Sequence, residues 1–174
     1  MPREKELVDP IAGWLYDQFS PGRTLLVHEE PQGHHGGRPD ILCVFAEPGD
    51  ESVNDVTLVP IEIEVSSRTA IRDPRNGLRQ LKKYAGHAKY LAIPKTVAAR
   101  QESRRIPTRS KAYGFGLLIV DVAEGNVESV VEPEWGVARR GLRSYPKSME
   151  RWIALRKSAD RYRRISGQAI VDKA

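Results

Sequence analysis

Residues 59–67 read VPIEIEVSS, and residues 38–42 read RPDIL. Along an extended strand, alternate side chains share a face. Ile61, Ile63 and Val65 therefore point one way, and Glu62, Glu64 and Ser66 the other. The apolar set is what a sheet buries under a helix. Two carboxylates side by side on the opposite face repel each other and require a compensating cation. Asp40, following Pro39 at the mouth of the apolar run ILCVF, supplies a third carboxylate. Three acids on neighbouring strands make an oxygen-rich site suited to Mg²⁺ or Mn²⁺. The chemistry this suggests is metal-dependent hydrolysis of a phosphodiester. Glu-Ile-Glu is also what the wet face of a half-exposed antiparallel sheet looks like, and the pattern alone favours that reading. Val59, Pro60 and Val65 describe a buried strand, where charge is costly, and the order of the surrounding elements reverses the balance.

Those elements follow from hydrophobic periodicity. Residues 4–19 read as a helix with Leu7, Ile11, Trp14, Leu15 and Phe19 on one stripe, and Pro10 either kinks it or delays its start. Residues 23–30 are a short strand, and 31–39 a turn-rich loop. Strands over 40–46 and 56–66 are joined by EPGDESVND, which has the composition of a hairpin connection. A second helix starts with Asp73 as N-cap and Pro74 at its first position. It carries Leu78, Leu81 and Ala85 as an apolar stripe, with Gln80 and Tyr84 on an adjacent face. A buried strand over 89–94 follows, then a short helix around 97–105 and a basic loop. Residues 114–122 and 127–131 form a second hairpin. A last helix over about 147–165 has Met149, Trp152, Leu155, Ala159 and Tyr162 inward and cations outward.

The chain has 174 residues, of which 40% are hydrophobic and 29% charged. That is one domain with a substantial core: a core unit over 1–135 and a basic helical extension over 136–174 packed on it. No apolar stretch approaches the roughly 18–20 residues needed to span a bilayer. The charged N-terminus shows no signal-peptide pattern. The single cysteine, Cys43, reads as a small core residue. The setting expected is intracellular, in the cytoplasm. The net charge is +5, yet residues 139–164 alone hold ten Lys/Arg against Glu150 and Asp160, so the remainder of the chain is net acidic. Residues 95–111 add six Lys/Arg against Glu102. A charge run is usually a solvated face. Basic surfaces flanking an acidic pocket, however, suit a polyanion whose backbone is held while a metal site works on it.

The order helix, strand, strand, strand, helix, strand, with Asp40 on the second strand and Glu62/Glu64 on the third, resembles the PD-(D/E)xK nuclease superfamily. That superfamily includes restriction endonucleases, archaeal Holliday junction resolvases and DNA-repair nucleases. The likeness runs from about residue 4 to about residue 122. KELV (5–8) looks like the start of the first helix, whose glutamate helps to bind metal, here Glu6. RPD (38–40) matches the proline-aspartate motif and IEIEVSSR (61–68) the (D/E)xK strand. GLRQLKKYAGHAKYLAIP (77–94) is similar to the next helix and strand, where a Gln and a Tyr four apart recur. One residue departs: the motif's lysine falls at position 64, which is Glu64. Some restriction endonucleases of the superfamily carry glutamate there. Lys82 and Lys83 flank the Gln80–Tyr84 face as another source of a lysine. A shifted register would instead make Glu64 the motif acid and Ser66 the third position.

The resemblance implies an α/β fold, a restriction-endonuclease-like αβββαβ core with a mixed central sheet flanked by helices, plus the C-terminal basic helix. It implies a Mg²⁺-dependent (or Mn²⁺-dependent) endodeoxyribonuclease acting on DNA. Asp40 and Glu62 would hold the metal with the main-chain carbonyl of Ile63, and Glu6 would assist. Glu64 would serve as general base or bind a second ion, and Gln80 would orient water or phosphate. Arg38, Arg68, Arg72, Arg75, Lys82 and Lys83 would contact the backbone phosphates, and a homodimer would serve two strands. The alternative is a catalytically inactive nucleic-acid-binding module on the same fold. A zinc site built from His28, His34, His35 and Cys43 lacks the usual ligand spacing. Trp135 would stack on a base or seal a dimer interface, while Trp14 and Trp152 read as core anchors.

Overall fold

The computed structural model describes residues 1–19, 24–29, 39–46, 57–71, 77–136, 164–165 and 169–171. Helix α1 (Glu4–Phe19) leads into three strands, β1 (Thr24–Glu29), β2 (Ile41–Ala46) and β3 (Thr57–Ile63). Two short helices, α2 (Ser67–Ile71) and α3 (Gly77–Leu81), connect β3 to β4 (Tyr90–Pro94). Helix α4 (Lys95–Ala98), a 3₁₀ turn (Gln101–Arg105) and α5 (Ile106–Ala112) connect β4 to β5 (Gly116–Asp121). The hairpin partner β6 (Asn126–Val131) and two short strands, β7 (Arg164–Ile165) and β8 (Ala169–Val171), complete the sheet. The strand order is β6-β5-β4-β3-β2-β1-β8-β7. β3, β4 and β5 are parallel and the other pairings antiparallel. This is a mixed α/β sheet, with β3 in its interior.

Each face of the sheet has its own core. Helix α1 lays Leu7, Ile11 and Leu15 on one face, against Ile41, Cys43, Val59, Ile61, Ile63 and Ala92. The helix runs unbroken from Glu4 through Pro10, so the proline does not delay its start. The connecting helices cover the opposite face, bringing Ala70, Leu78, Leu81, Val97 and Ile106 against Leu91, Ile93 and Leu117. Burial pushes the Cys43 thiol up, as suits a core cysteine. Trp14 packs edge-on to Tyr90 and Phe19, partly buried against the first core.

A proline in an interior strand looks out of place, because it cannot donate to a ladder. In β3 the side of the strand toward β4 is free at this point: pairing with β4 begins only at Ile61. Two residues before Pro60, the loop ahead of β4 supplies the partners instead. Leu58 donates its N–H to His87 Nδ1 at 3.0 Å, and His87 returns its own N–H to the Leu58 carbonyl at 2.8 Å. The pyrrolidine ring then packs against Gly86, where any Cβ would fall 2.4 Å from Pro60 Cδ.

The basic stretch 95–111 is more ordered than its sequence suggests. In place of one short helix and a loop there are α4, the 3₁₀ turn and α5, with Pro107 in the first turn of α5. Val97, Ser103, Ile106 and Ser110 turn inward, and the cations of this stretch face out. The expected start of the second helix at Asp73-Pro74 lies outside the described residues. So do the loop 31–38 and the C-terminal helix as far as residue 163; Arg164–Ile165, at its expected end, is a strand.

Candidate active site

Glu62 and Glu64 occupy the C-terminal end of an interior strand, and both are buried, at 8% and 5% exposure. Alternation along β3 puts Ile61 and Ile63 into the α1 core. Glu62 is thereby turned to the face covered by the connecting helices, beside Leu91. This is not the wet face of a half-exposed sheet. The strand's hydrogen bonding continues past Ile63, with Glu64 N–H donating to the Ala92 carbonyl at 2.9 Å.

Asp40 meets this strand end through the backbone. β2 and β3 pair antiparallel up to Ile41 opposite Ile61. The next N–H of β3 on that side, that of Ile63, lies beyond the last rung. The Asp40 carboxylate takes its place as acceptor, with Oδ2 2.7 Å from the Ile63 nitrogen. Asp40 is thus fixed at the residue between the two glutamates.

The electrostatics record the crowding. Removal from water first, and then the charges of Asp40, Glu64 and Glu4, push the Glu62 carboxyl up to about 9. One contact opposes them: the Tyr84 hydroxyl donates to Glu62 Oε2 at 2.9 Å. Tyr84 is itself raised, first by burial and then by the negative charge of Glu62, while a hydrogen bond from Gln80 works the other way. The Gln80–Tyr84 pair four residues apart thus joins the cluster through the tyrosine. Tyr84 enters the site as a direct partner of Glu62.

Other expected residues lie apart. Glu6 is exposed, and its carboxylate accepts the Arg3 N–H in a reciprocal cap, with Glu6 N–H donating to the Arg3 carbonyl at 2.9 Å. It is Glu4, one helical position class away, whose charge reaches Glu62. Glu4 lies three residues before Leu7 and seven before Ile11, in phase with the buried stripe, so helical periodicity could have singled it out. Lys82 extends over the Tyr113 ring, 4.9 Å from its centroid, and Lys83 is exposed. Among the described residues, neither is a charge acting on Glu62. Ser66 starts α2: its carbonyl accepts from Ala70 N–H and its hydroxyl from Arg68 N–H. In the shifted register, the third-position side chain is therefore engaged in capping. Arg68 is exposed, while Arg38, Arg72, Arg75, His34 and His35 lie outside the described residues.

Among the described residues, no three His, Cys, Asp or Glu side chains are placed to enclose one metal ion. Zinc and calcium favour such multi-ligand cages, whereas Mg²⁺ keeps several waters and takes one or two carboxylates plus substrate phosphate. Asp40 and Glu62, with Glu62 raised first by burial and then by its acidic neighbours, offer carboxylate oxygens that fit that second kind of binding. No helix among the described residues is long and apolar enough to cross a membrane. No family model matches the chain, and no curated protein matches it.

Proposed function

We propose that the chain is a metal-dependent nuclease of the PD-(D/E)xK type, hydrolysing phosphodiester bonds in DNA. The observation that carries this reading is the convergence of Asp40 on the backbone between two buried glutamates at the end of an interior strand. Burying that much like charge is unfavourable unless it is protonated or neutralised by a cation. Asp40 and Glu62 would hold Mg²⁺ or Mn²⁺, with Glu4 adding long-range negative potential. When bound, the ion supplies a Lewis acid for a non-bridging phosphate oxygen and charge relief for the leaving alkoxide.

The protein's own groups do the rest. Tyr84 fixes one oxygen of Glu62 and so sets the direction of the other. Gln80, held against Tyr84, anchors that hydroxyl from behind. The Glu64 carboxylate takes the proton from the attacking water, the role left to position 64 when a lysine is not there. The covering helices exclude bulk solvent from the Glu62 side.

Asp40→Asn tests the reading, because an asparagine oxygen still accepts the Ile63 N–H and leaves the strand end intact. Cleavage of linear, nicked and four-way-junction DNA is measured in Mg²⁺, Mn²⁺ and EDTA. The expectation is a loss of at least a hundredfold in metal-dependent cutting by the variant; undiminished cutting removes Asp40 from the mechanism. Glutamate at position 64 also favours a second reading, a catalytically silent DNA-binding module, which predicts binding by the unaltered chain without cutting in any metal.

A further inference from the structure

Three residues beyond Glu64, Ser67 donates its hydroxyl to Glu102 Oε1 at 3.0 Å and so ties α2 to the 3₁₀ turn after β4. Behind that tie lies a cleft of about 570 Å³. Four arginines line it: Arg68 from α2, and Arg104, Arg105 and Arg109 from the β4–β5 connection. All four are exposed. Glu102 is the single acid among the described lining residues, and it accepts the Ser67 hydroxyl. Four guanidinium groups around one cleft repel each other and present forked donors that match phosphate oxygens two at a time. Ala70 of α2 and Ile106 of α5 pack on the same sheet face to which Glu62 turns. The cleft therefore lies on the covered face to which Glu62 turns, and Ser67 and Arg68 of its lining follow Glu64 by three and four residues.

We propose that this cleft is the track for a nucleic-acid backbone, with Arg68, Arg104, Arg105 and Arg109 holding successive phosphates as the strand reaches Glu62 and Glu64. The choice of a nucleic acid as occupant rests on the phosphodiesterase reading, since an acidic polypeptide would also satisfy four arginines. The β4–β5 connection then has a function of its own: it carries three of the four arginines among the described lining residues.

Binding is measured by fluorescence anisotropy of a labelled duplex and of one of its single strands, in EDTA so that nothing is cut, across a range of NaCl. Each phosphate contact contributes about 0.9 to the slope of log affinity against log salt on a duplex, which is roughly fivefold at physiological salt. Arg104→Ala/Arg105→Ala/Arg109→Ala is expected to weaken duplex binding about a hundredfold and to lower the slope by about 2.7. Arg105→Ala alone is expected to lose about fivefold, while Lys5→Ala, on the helix covering the opposite face, changes binding less than twofold. Unaltered affinity and slope in both arginine variants overturn the proposal. Displacement of the duplex by polyglutamate at equal charge concentration overturns it in favour of an acidic polypeptide. If the unaltered chain binds through the cleft but never cuts, the hydrolase reading falls and the track stands; if it cuts while the arginine variants bind undiminished, the reverse holds.

Discussion

Glu62→Gln is expected to make the metal-free protein more stable at neutral pH and to remove its stabilisation by Mg²⁺. In the folded chain Glu62 has its carboxyl pushed up to about 9, from an ordinary value of 4.5. A folded value above the unfolded one means that stability is complete below about 4.5 and drains away as pH rises through about 9. At pH 7.5 the unfolded carboxyl is ionised and the folded one still holds its proton. Over the three pH units above 4.5, at about 1.4 kcal/mol per unit, the loss reaches about 4 kcal/mol. A glutamine has the same shape, accepts the Tyr84 hydroxyl and never ionises, so it escapes that loss.

The assay is urea unfolding of both proteins in EDTA at pH 5 and pH 7.5, repeated with Mg²⁺. In EDTA at pH 7.5 the variant should be the more stable by about 2–4 kcal/mol, allowing for relaxation around the buried carboxyl, and by under about 1 kcal/mol at pH 5. Saturating Mg²⁺, at a hundred times its dissociation constant, should return about 2.7 kcal/mol to the unaltered chain and almost nothing to the variant. Equal stability of the two proteins in EDTA at pH 7.5 would refute the buried-charge reasoning. Equal gains with Mg²⁺ would remove Glu62 as a ligand.

Two further substitutions probe the supports of the site. Tyr84→Phe deletes the donor that holds Glu62 down; it should cost about 1 kcal/mol by urea unfolding and move the pH dependence of Mg²⁺ stabilisation upward. A pH dependence that stays in place would show that Tyr84 does not act on Glu62. Gly77 opens α3 at a φ of 59°, and a Cβ there would lie 2.5 Å from the Ala70 carbonyl oxygen. Gly77→Ala should therefore destabilise by more than about 2 kcal/mol, since left-handed strain adds to a backbone clash that cannot relax cheaply. A change within about 0.5 kcal/mol in thermal or urea unfolding would contradict that placement.

Much of the site's scaffold was legible because β3 writes its two faces in a strict alternation. Ile61 and Ile63 fall in the α1 core and Glu62 on the other side, as residue order alone requires. The β2–β3 and β5–β6 hairpins were legible for another reason, from apolar runs separated by residues of turn composition. Helix α5 was not. Its inward positions are Ile106 and Ser110, and Ser110 anchors the helix by donating toward the Phe115 and Gly116 carbonyls. A polar anchor leaves no mark in hydrophobic periodicity. Pro60 was read with Val59 and Val65 as part of a buried strand, and what lets a proline sit there, the loop at Gly86 and His87, is set by tertiary packing. Asp40 was found by its type and by Pro39, but its link to Ile63 depends on where the β2 ladder ends. Register of that kind emerges only once the strands pair.

Position 64 is where charge and architecture meet. A lysine there would balance the acids of the strand end from within. Glutamate instead adds to the potential that raises Glu62, so the strand end as built favours cations and repels a bare phosphate. An anionic substrate approaching such a site must be held from outside it, by positive groups close enough to align a phosphate and far enough not to pair with the acids. Arg68 of α2 and Arg104, Arg105 and Arg109 of the β4–β5 connection are the exposed cations proposed for that role. They line one cleft, they begin with Arg68 four residues after Glu64, and the one acid among the described lining residues, Glu102, accepts the Ser67 hydroxyl. If the strand end holds a metal ion, as proposed, Glu64 adds to the negative charge that attracts it, and the positive charge an anionic substrate requires comes from the arginines of α2 and the β4–β5 connection.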